Sequence, residues 1–116
     1  MTDSFHYLRD DCKAVLPADY TMLAANQIKL FANFDKMRIL EYLTLNGASC
    51  VSDIVAGIES EQLKVSQNLK RLRDDGFVVC HREGRYIIYD ITPGVHKTAI
   101  QCIHKRYDSL KNKDDF

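Results

Sequence analysis

The feature that most constrains this chain is a change of hydrophobic period at Gly76. Before it, "KVSQNLKRLRDDGF" places Val65, Leu69 and Leu72 at helical spacing, so one face of a helix is apolar. After it, "FVVCHREGRYIIYDI" is two β-rich runs around Arg82-Glu83-Gly84-Arg85, a hairpin signal with glycine in the turn. A helix that passes directly into a short hairpin must be packed by whatever lies on either side of the pair.

Helical patterns supply that packing. Residues 1–17 are a polar arm ending at Pro17. "ADYTMLAANQIKLFANF" sets Tyr20, Leu23, Ala24, Ile28 and Phe31 on one side of a helix. In "NFDKMRILEYLTLNG", Asn33 or Asp35 can cap a helix that turns Met37, Ile39, Leu40 and Leu43 inward and ends at Gly47. "SCVSDIVAGI" reads as a short helix burying Val51, Ile54 and Val55. Ser60 is placed to cap the next helix and Gly76 to end it. Beyond the hairpin, "TPGVHKTAIQCIHKRYDSL" is a closing helix with Thr92 as its cap and Pro93 at its first position. Its apolar side is Val95, Ala99, Ile103, Tyr107 and Leu110, with Cys102 at the edge. The expected order is α-α-α-α-β-β-α, mainly α with a small β-hairpin. A short helix, the tight connection "AGIES", a longer helix and an Arg-rich hairpin make a winged helix-turn-helix. The domain is expected over residues 18–111, with a charged tail at 112–116.

Composition removes several classes. The chain has 116 residues, 46% hydrophobic and 28% charged, which fits one soluble domain with a real core. Formal net charge is zero, so any attraction to a polyanion must come from local patterning. No run of about 18 apolar residues suggests a membrane span, and "MTDSFHYLRDDCK" has no signal-peptide core. A cytoplasmic protein with reduced thiols is expected. The cysteines Cys12, Cys50, Cys80 and Cys102 form no C-x-x-C pair, which argues against a zinc knuckle. No Gly-rich phosphate loop, nucleophile elbow or H-E-x-x-H pattern points to an enzyme.

The local patterning lies on the helix before Gly76. Opposite its apolar stripe it carries Leu63, Lys64, Gln67, Lys70 and Arg71, and its acids come only at the end, at Asp74 and Asp75.

From about Phe31 to Ile91 the chain resembles the arsenic-repressor (ArsR/SmtB) family of winged-helix repressors. The matching stretches are "FANFDKMRILEYL", "GASCVSDIVAGI", "VSQNLKRLRDDGFV" and "REGRYIIYDI". The resemblance implies a prokaryotic, nucleoid-associated homodimer that pairs through its first and last helices and binds operator DNA. Leu23, Val95, Ala99, Cys102, Ile103, Tyr107 and Leu110 would then form the dimer interface. A helix-turn-helix lays its second helix in the major groove. There Gln67 can pair with adenine, Lys64 can reach guanine or phosphate, and Leu63 can touch a thymine methyl. Lys70 and Arg71 suit phosphate, Ser66 sits where the family often approaches the backbone, and Arg82 and Arg85 of the wing suit phosphate or minor groove. The plainer alternative is a solvated surface, or a winged-helix module that binds protein and has no inducer site.

The family's sensing positions are altered. Metal-sensing members often carry C-V-C-D where this chain has "SCVSD": Cys50 keeps the first position and Ser52 replaces the second. One thiolate is a poor soft-metal site. Some relatives complete the site from the N-terminal arm of the other subunit, so Cys12 and Cys50, with His6, are candidates for a soft-metal site or a disulfide. Cys50 as a small core residue and Cys12 as an incidental thiol is the competing reading. The zinc positions of the last helix align with Pro93, Val95, Arg106 and Ser109, which are not zinc ligands. No metal site is assigned and no cofactor is required.

Overall fold

The computed structural model describes residues 14–112. The expectations for His6 and Cys12 lie outside the described residues. The elements are α1 (Ala18–Phe31), α2 (Phe34–Asn46), β1 (Ser49–Cys50), α3 (Val51–Ile58), α4 (Gln62–Asp74), β2 (Val78–Glu83), β3 (Tyr86–Ile91) and α5 (Val95–Asn112).

Local chemistry sets most of these boundaries. The Pro17 carbonyl accepts from the Tyr20 and Thr21 amides and opens α1. Asn33 caps α2, its Oδ1 accepting from the Lys36 amide at 2.9 Å. At the end of α4, the Phe77 amide donates to the Leu72 carbonyl at 2.8 Å. Gly76 sits at φ +86 between them, a left-handed position that ends helices without strain on a side chain. In the wing, Val78 pairs with Ile91 and the register runs to Glu83 opposite Tyr86. Gly84, at φ +62, takes the first turn position and leaves a two-residue hairpin loop.

Three local expectations are corrected. Ser49 and Cys50 are not part of a helix but a short third strand, with Ser49 opposite Tyr89 and Cys50 opposite Ile88, so the sheet order is β1-β3-β2. The residue at the N-cap of α4 is Glu61 rather than Ser60, and it makes no side-chain cap. The last helix starts at Val95, with the Thr98 amide bonded to the Gly94 carbonyl, so Thr92 is not its cap.

The core joins α2, α3, α4, the wing and α5. Ile39, Leu40, Leu43, Ile54, Val65, Leu69, Leu72, Val78 and Ile100 are fully buried within it. The expected stripe of α4 is therefore its core face. On α5 the face turned to the core carries His96 and Ile100, while Val95, Ile103 and Tyr107 of the apolar side expected at the dimer interface are exposed in the single chain. α1 buries only Phe31.

His96 closes the joint between α1, the wing and α5. Its ring lies 4.8 Å from the Phe77 ring and 6.2 Å from Phe31, and those two meet edge-on at 5.3 Å. The Thr92 hydroxyl donates its one proton to the Gly76 carbonyl at 2.8 Å. The 3.1 Å contact between Thr92 Oγ1 and His96 Nε2 must then be a donation from the imidazole. Burial holds this imidazole below its usual pKa, against the opposing pull of the Thr92 and Phe77 carbonyls.

Candidate nucleic-acid interface

Helices α3 and α4 are joined by a turn of left-handed backbone. Glu59 takes φ +54 at the end of α3, and the Ser60 amide returns to the Val55 carbonyl at 3.2 Å. Behind them Gly57 lies against the Tyr42 ring of α2, where an added Cβ would come 2.1 Å from Cε1. Only a residue without a side chain lets α3 approach α2 this closely.

With Val65, Leu69 and Leu72 in the core, α4 has only one rotation left, and it points the cationic face outward. Leu63 is 69% exposed, a large apolar residue in full view at the start of the helix. Lys64, Gln67, Lys70 and Arg71 are exposed and Ser66 is half-buried. The amide of Asn68 is used by its own helix, donating to the Lys64 carbonyl at 3.0 Å. Lys64 Nζ lies 3.6 Å from Asp35 Oδ1, at the first turn of α2. An ion pair this exposed is worth little in stability. It sets the ammonium group beside the start of α2.

The wing continues the same surface. The Arg85 guanidinium sits 5.6 Å from the centre of the Tyr86 ring, which holds it by cation–π attraction. Arg82 Nη1 reaches the Gly84 carbonyl at 3.5 Å across the turn. His81 Nε2 contacts Glu83 Oε2 at 2.8 Å, so the wing also carries an acid. Two residues absent from the sequence reading belong here. Arg73 reaches from the end of α4 to Cys80 Sγ at 4.0 Å and to Asp74 at 3.6 Å, bridging α4 and β2. Tyr86 is the exposed platform under Arg85.

A second surface lies on α1 and α5. Leu23, Val95, Ile103 and Tyr107 are between 42% and 55% exposed, while Ala99 and Leu110 are partly covered and Cys102 is open. Tyr20, Met22 and Ile28 of α1 are exposed as well.

Known proteins share this arrangement. The HTH-type transcriptional regulator NmtR of Mycobacterium tuberculosis is 34% identical over 83 residues, covering 72% of this chain and 68% of that protein. The transcriptional activator HlyU of Vibrio cholerae is 31% identical over 80 residues, 69% of this chain and 73% of that one. The chain belongs to the ArsR family. The arsenical resistance operon repressor of Escherichia coli is 24% identical over 92 residues, 79% of each chain. Among solved structures, the AntR antimony-specific transcriptional repressor superposes with a TM-score of 0.78 at 21% identity, covering 90% of this chain and 94% of that one. HlyU itself superposes at 0.69 and 27% identity, covering 78% of this chain and 98% of that one. No family model matches. The ArsR-family chain is thus a winged helix-turn-helix DNA-binding transcriptional regulator.

Relatives named for arsenic and antimony raise the question of a metal. In this ArsR-family protein Cys50 is half-buried, its Sγ 3.2 Å from Ser52 Oγ, beside Asp53, Tyr86 and Ile88. Among the described residues no three His, Cys, Asp or Glu side chains stand close enough to share an ion. One thiol and one hydroxyl do not fit a thiophilic metal, which takes several thiolates.

Proposed function

We propose that this ArsR-family protein is a homodimeric repressor that reads a near-palindromic operator with α4 and grips the flanking backbone with the wing. One observation carries the reading: α4 buries Val65, Leu69 and Leu72 completely and thereby presents Leu63, Lys64, Gln67, Lys70 and Arg71 together. The roles follow from chemistry. Gln67 reads an adenine edge, Lys64 reaches guanine or phosphate, Leu63 packs on a thymine methyl, and Ser66, Lys70, Arg71, Arg82 and Arg85 face the backbone. The dimer pairs the exposed faces of α1 and α5, setting two copies of α4 about 34 Å apart, one turn of DNA. In this reading the protein binds and does not catalyse, and it works in the cytoplasm at the nucleoid.

The test is fluorescence anisotropy with the DNA upstream of its own gene. Tight binding that weakens steeply with salt is expected. Binding that ignores salt, or no binding to that DNA, favours the winged-helix protein-interaction module instead.

Release by thiol chemistry belongs to the same proposal. Cys50 supplies one sulfur, and Cys12 of the arm would have to supply the other, for mild oxidation or a soft metal ion to act. Reversible loss of DNA binding on oxidation, absent in Cys12→Ser and Cys50→Ser, is the expected result. Equal binding by oxidised and reduced protein removes the thiols from sensing.

A further inference from the structure

We propose that the cleft between α2 and α5 binds an organic carboxylate with an apolar body, and that the DNA-reading half of the molecule registers its occupancy. Three side chains define the cleft. Arg38 Nη1 donates to Glu41 Oε1 at 2.7 Å along α2. The other carboxylate oxygen faces His104 Nε2 of α5 at 3.3 Å. That nitrogen is shut off from solvent, yet the contact lacks hydrogen-bond geometry, so the trio is incompletely satisfied. Cavities of about 250 and 340 Å³ adjoin it, and Arg38, Glu41 and His104 bound both. Ile103 and Tyr107 wall the larger, whose volume suits a small ligand.

The charges choose the ligand. Both oxygens of Glu41 already face a nitrogen base, so the carboxylate does not recruit a further cation. Arg38 is 44% exposed and, among the described residues, is engaged through Nη1 only. Arg38 lines both cavities, and its remaining N–H donors can exchange water for a ligand's acceptor there. A planar carboxylate matches the guanidinium fork. An apolar tail then lies along Ile103 and Tyr107, which belong to the face proposed for the partner subunit, so ligand and partner meet at these two side chains.

Position supplies the consequence. α2 carries Asp35, which pairs with Lys64, and Tyr42, which seats Gly57 of α3. α5 carries the dimer face. A ligand wedged between them changes how the two reading helices are spaced, and this coupling rests on the DNA-binding reading.

Octanoate and octanamide are the probes, titrated into isotope-labelled full-length protein and followed by NMR. Octanoate is expected to shift the amides of Arg38, Glu41 and His104. Octanamide should bind about tenfold more weakly, because it lacks the charge that Arg38 recognises. Arg38→Gln should bring octanoate down to the amide's level with the rest of the spectrum unchanged. Equal binding of the two probes, shifts elsewhere, or no shifts overturn the site. DNA anisotropy on the same samples reads the coupling. Saturating octanoate should change operator affinity by about fivefold or more, and an unchanged affinity overturns the coupling. Failure to bind DNA before any octanoate is added counts against the repressor reading, whereas the NMR result still decides the site.

Discussion

In the proposed reading, Gln67 and Arg85 divide the work of DNA recognition at the scale of single residues. Gln67 is exposed on α4, and an amide there can bond an adenine edge at two points. Gln67→Ala should relax specificity at one operator position, costing about 1–3 kcal/mol on the preferred base pair. Anisotropy across a set of single-base operator variants checks this, and an equal loss on every sequence would refute it. Arg85 lies at the wing turn, on the Tyr86 ring. Arg85→Ala should weaken all sequences alike and flatten the salt dependence by about one phosphate contact per wing. An unchanged slope would take Arg85 off the backbone. His96 makes a different prediction, for stability. Its folded pKa is lowered by burial, so the unfolded chain takes up the proton first, near about 6.5. The contribution of neutral His96 is therefore fully present above that pH and lost as pH falls through the lower folded value. Urea unfolding between neutral and acid pH should show wild type losing more stability than His96→Phe, and parallel curves would contradict the assignment. Exposed Gln67 and Lys64 were legible in the sequence because the stripe of α4 fixes which residues oppose it. Arg73 and Tyr86 were not, since a cation at a helix end and a tyrosine in a strand become parts of a surface only when α4 and the wing are placed together.

Elements with a strong internal period were the readable ones. The helix α4 and the hairpin announce themselves by spacing and by glycine. β1 does not, because two residues have no period and Ser49–Cys50 is a strand only through its pairing with Tyr89 and Ile88. The start of α5 was misplaced for a related reason. Thr92-Pro93 has the composition of a helix start, but the Thr92 hydroxyl is drawn to the Gly76 carbonyl, a contact sixteen residues away in sequence. The seat of α3 on α2 offers a test at this scale. Gly57→Ala should cost about 1–3 kcal/mol, since the new methyl enters the Tyr42 ring. The cause is overpacking, so Tyr42→Leu in the same chain should return part of that stability. Denaturant melts of both single variants and the double variant decide it. Additive losses would mean that the two positions do not meet.

For the whole molecule the informative mismatch is between apolar pattern and burial. Both α1 and α5 carry the stripes their sequences promise, yet among the described residues much of each stripe is left exposed to about half its area. Of the fourteen residues of α1 only Phe31 is buried, while Tyr20, Met22, Leu23, Ile28 and Leu30 stand between 42% and 61% exposed. A helix held at one end by one phenylalanine gains little from tertiary packing, and helices of this length are marginal alone in water. Several large apolar residues left exposed on one helix are what a protein–protein interface covers. A second copy is the natural cover, because α5 offers Val95 and Ile103, exposed to a similar degree. Sequence periodicity reveals that such a face exists but is silent on which chain covers it. Leu23→Asp separates the alternatives. Leu23 is 55% exposed in the single chain, so a carboxylate there costs the isolated fold little, whereas between two chains it is buried without a partner. Light scattering should show the variant shifted to monomer with its circular dichroism near wild type, and operator binding should fall because one α4 cannot bridge two half-sites. A variant that stays dimeric would move the interface off α1 and leave α5 to account for it.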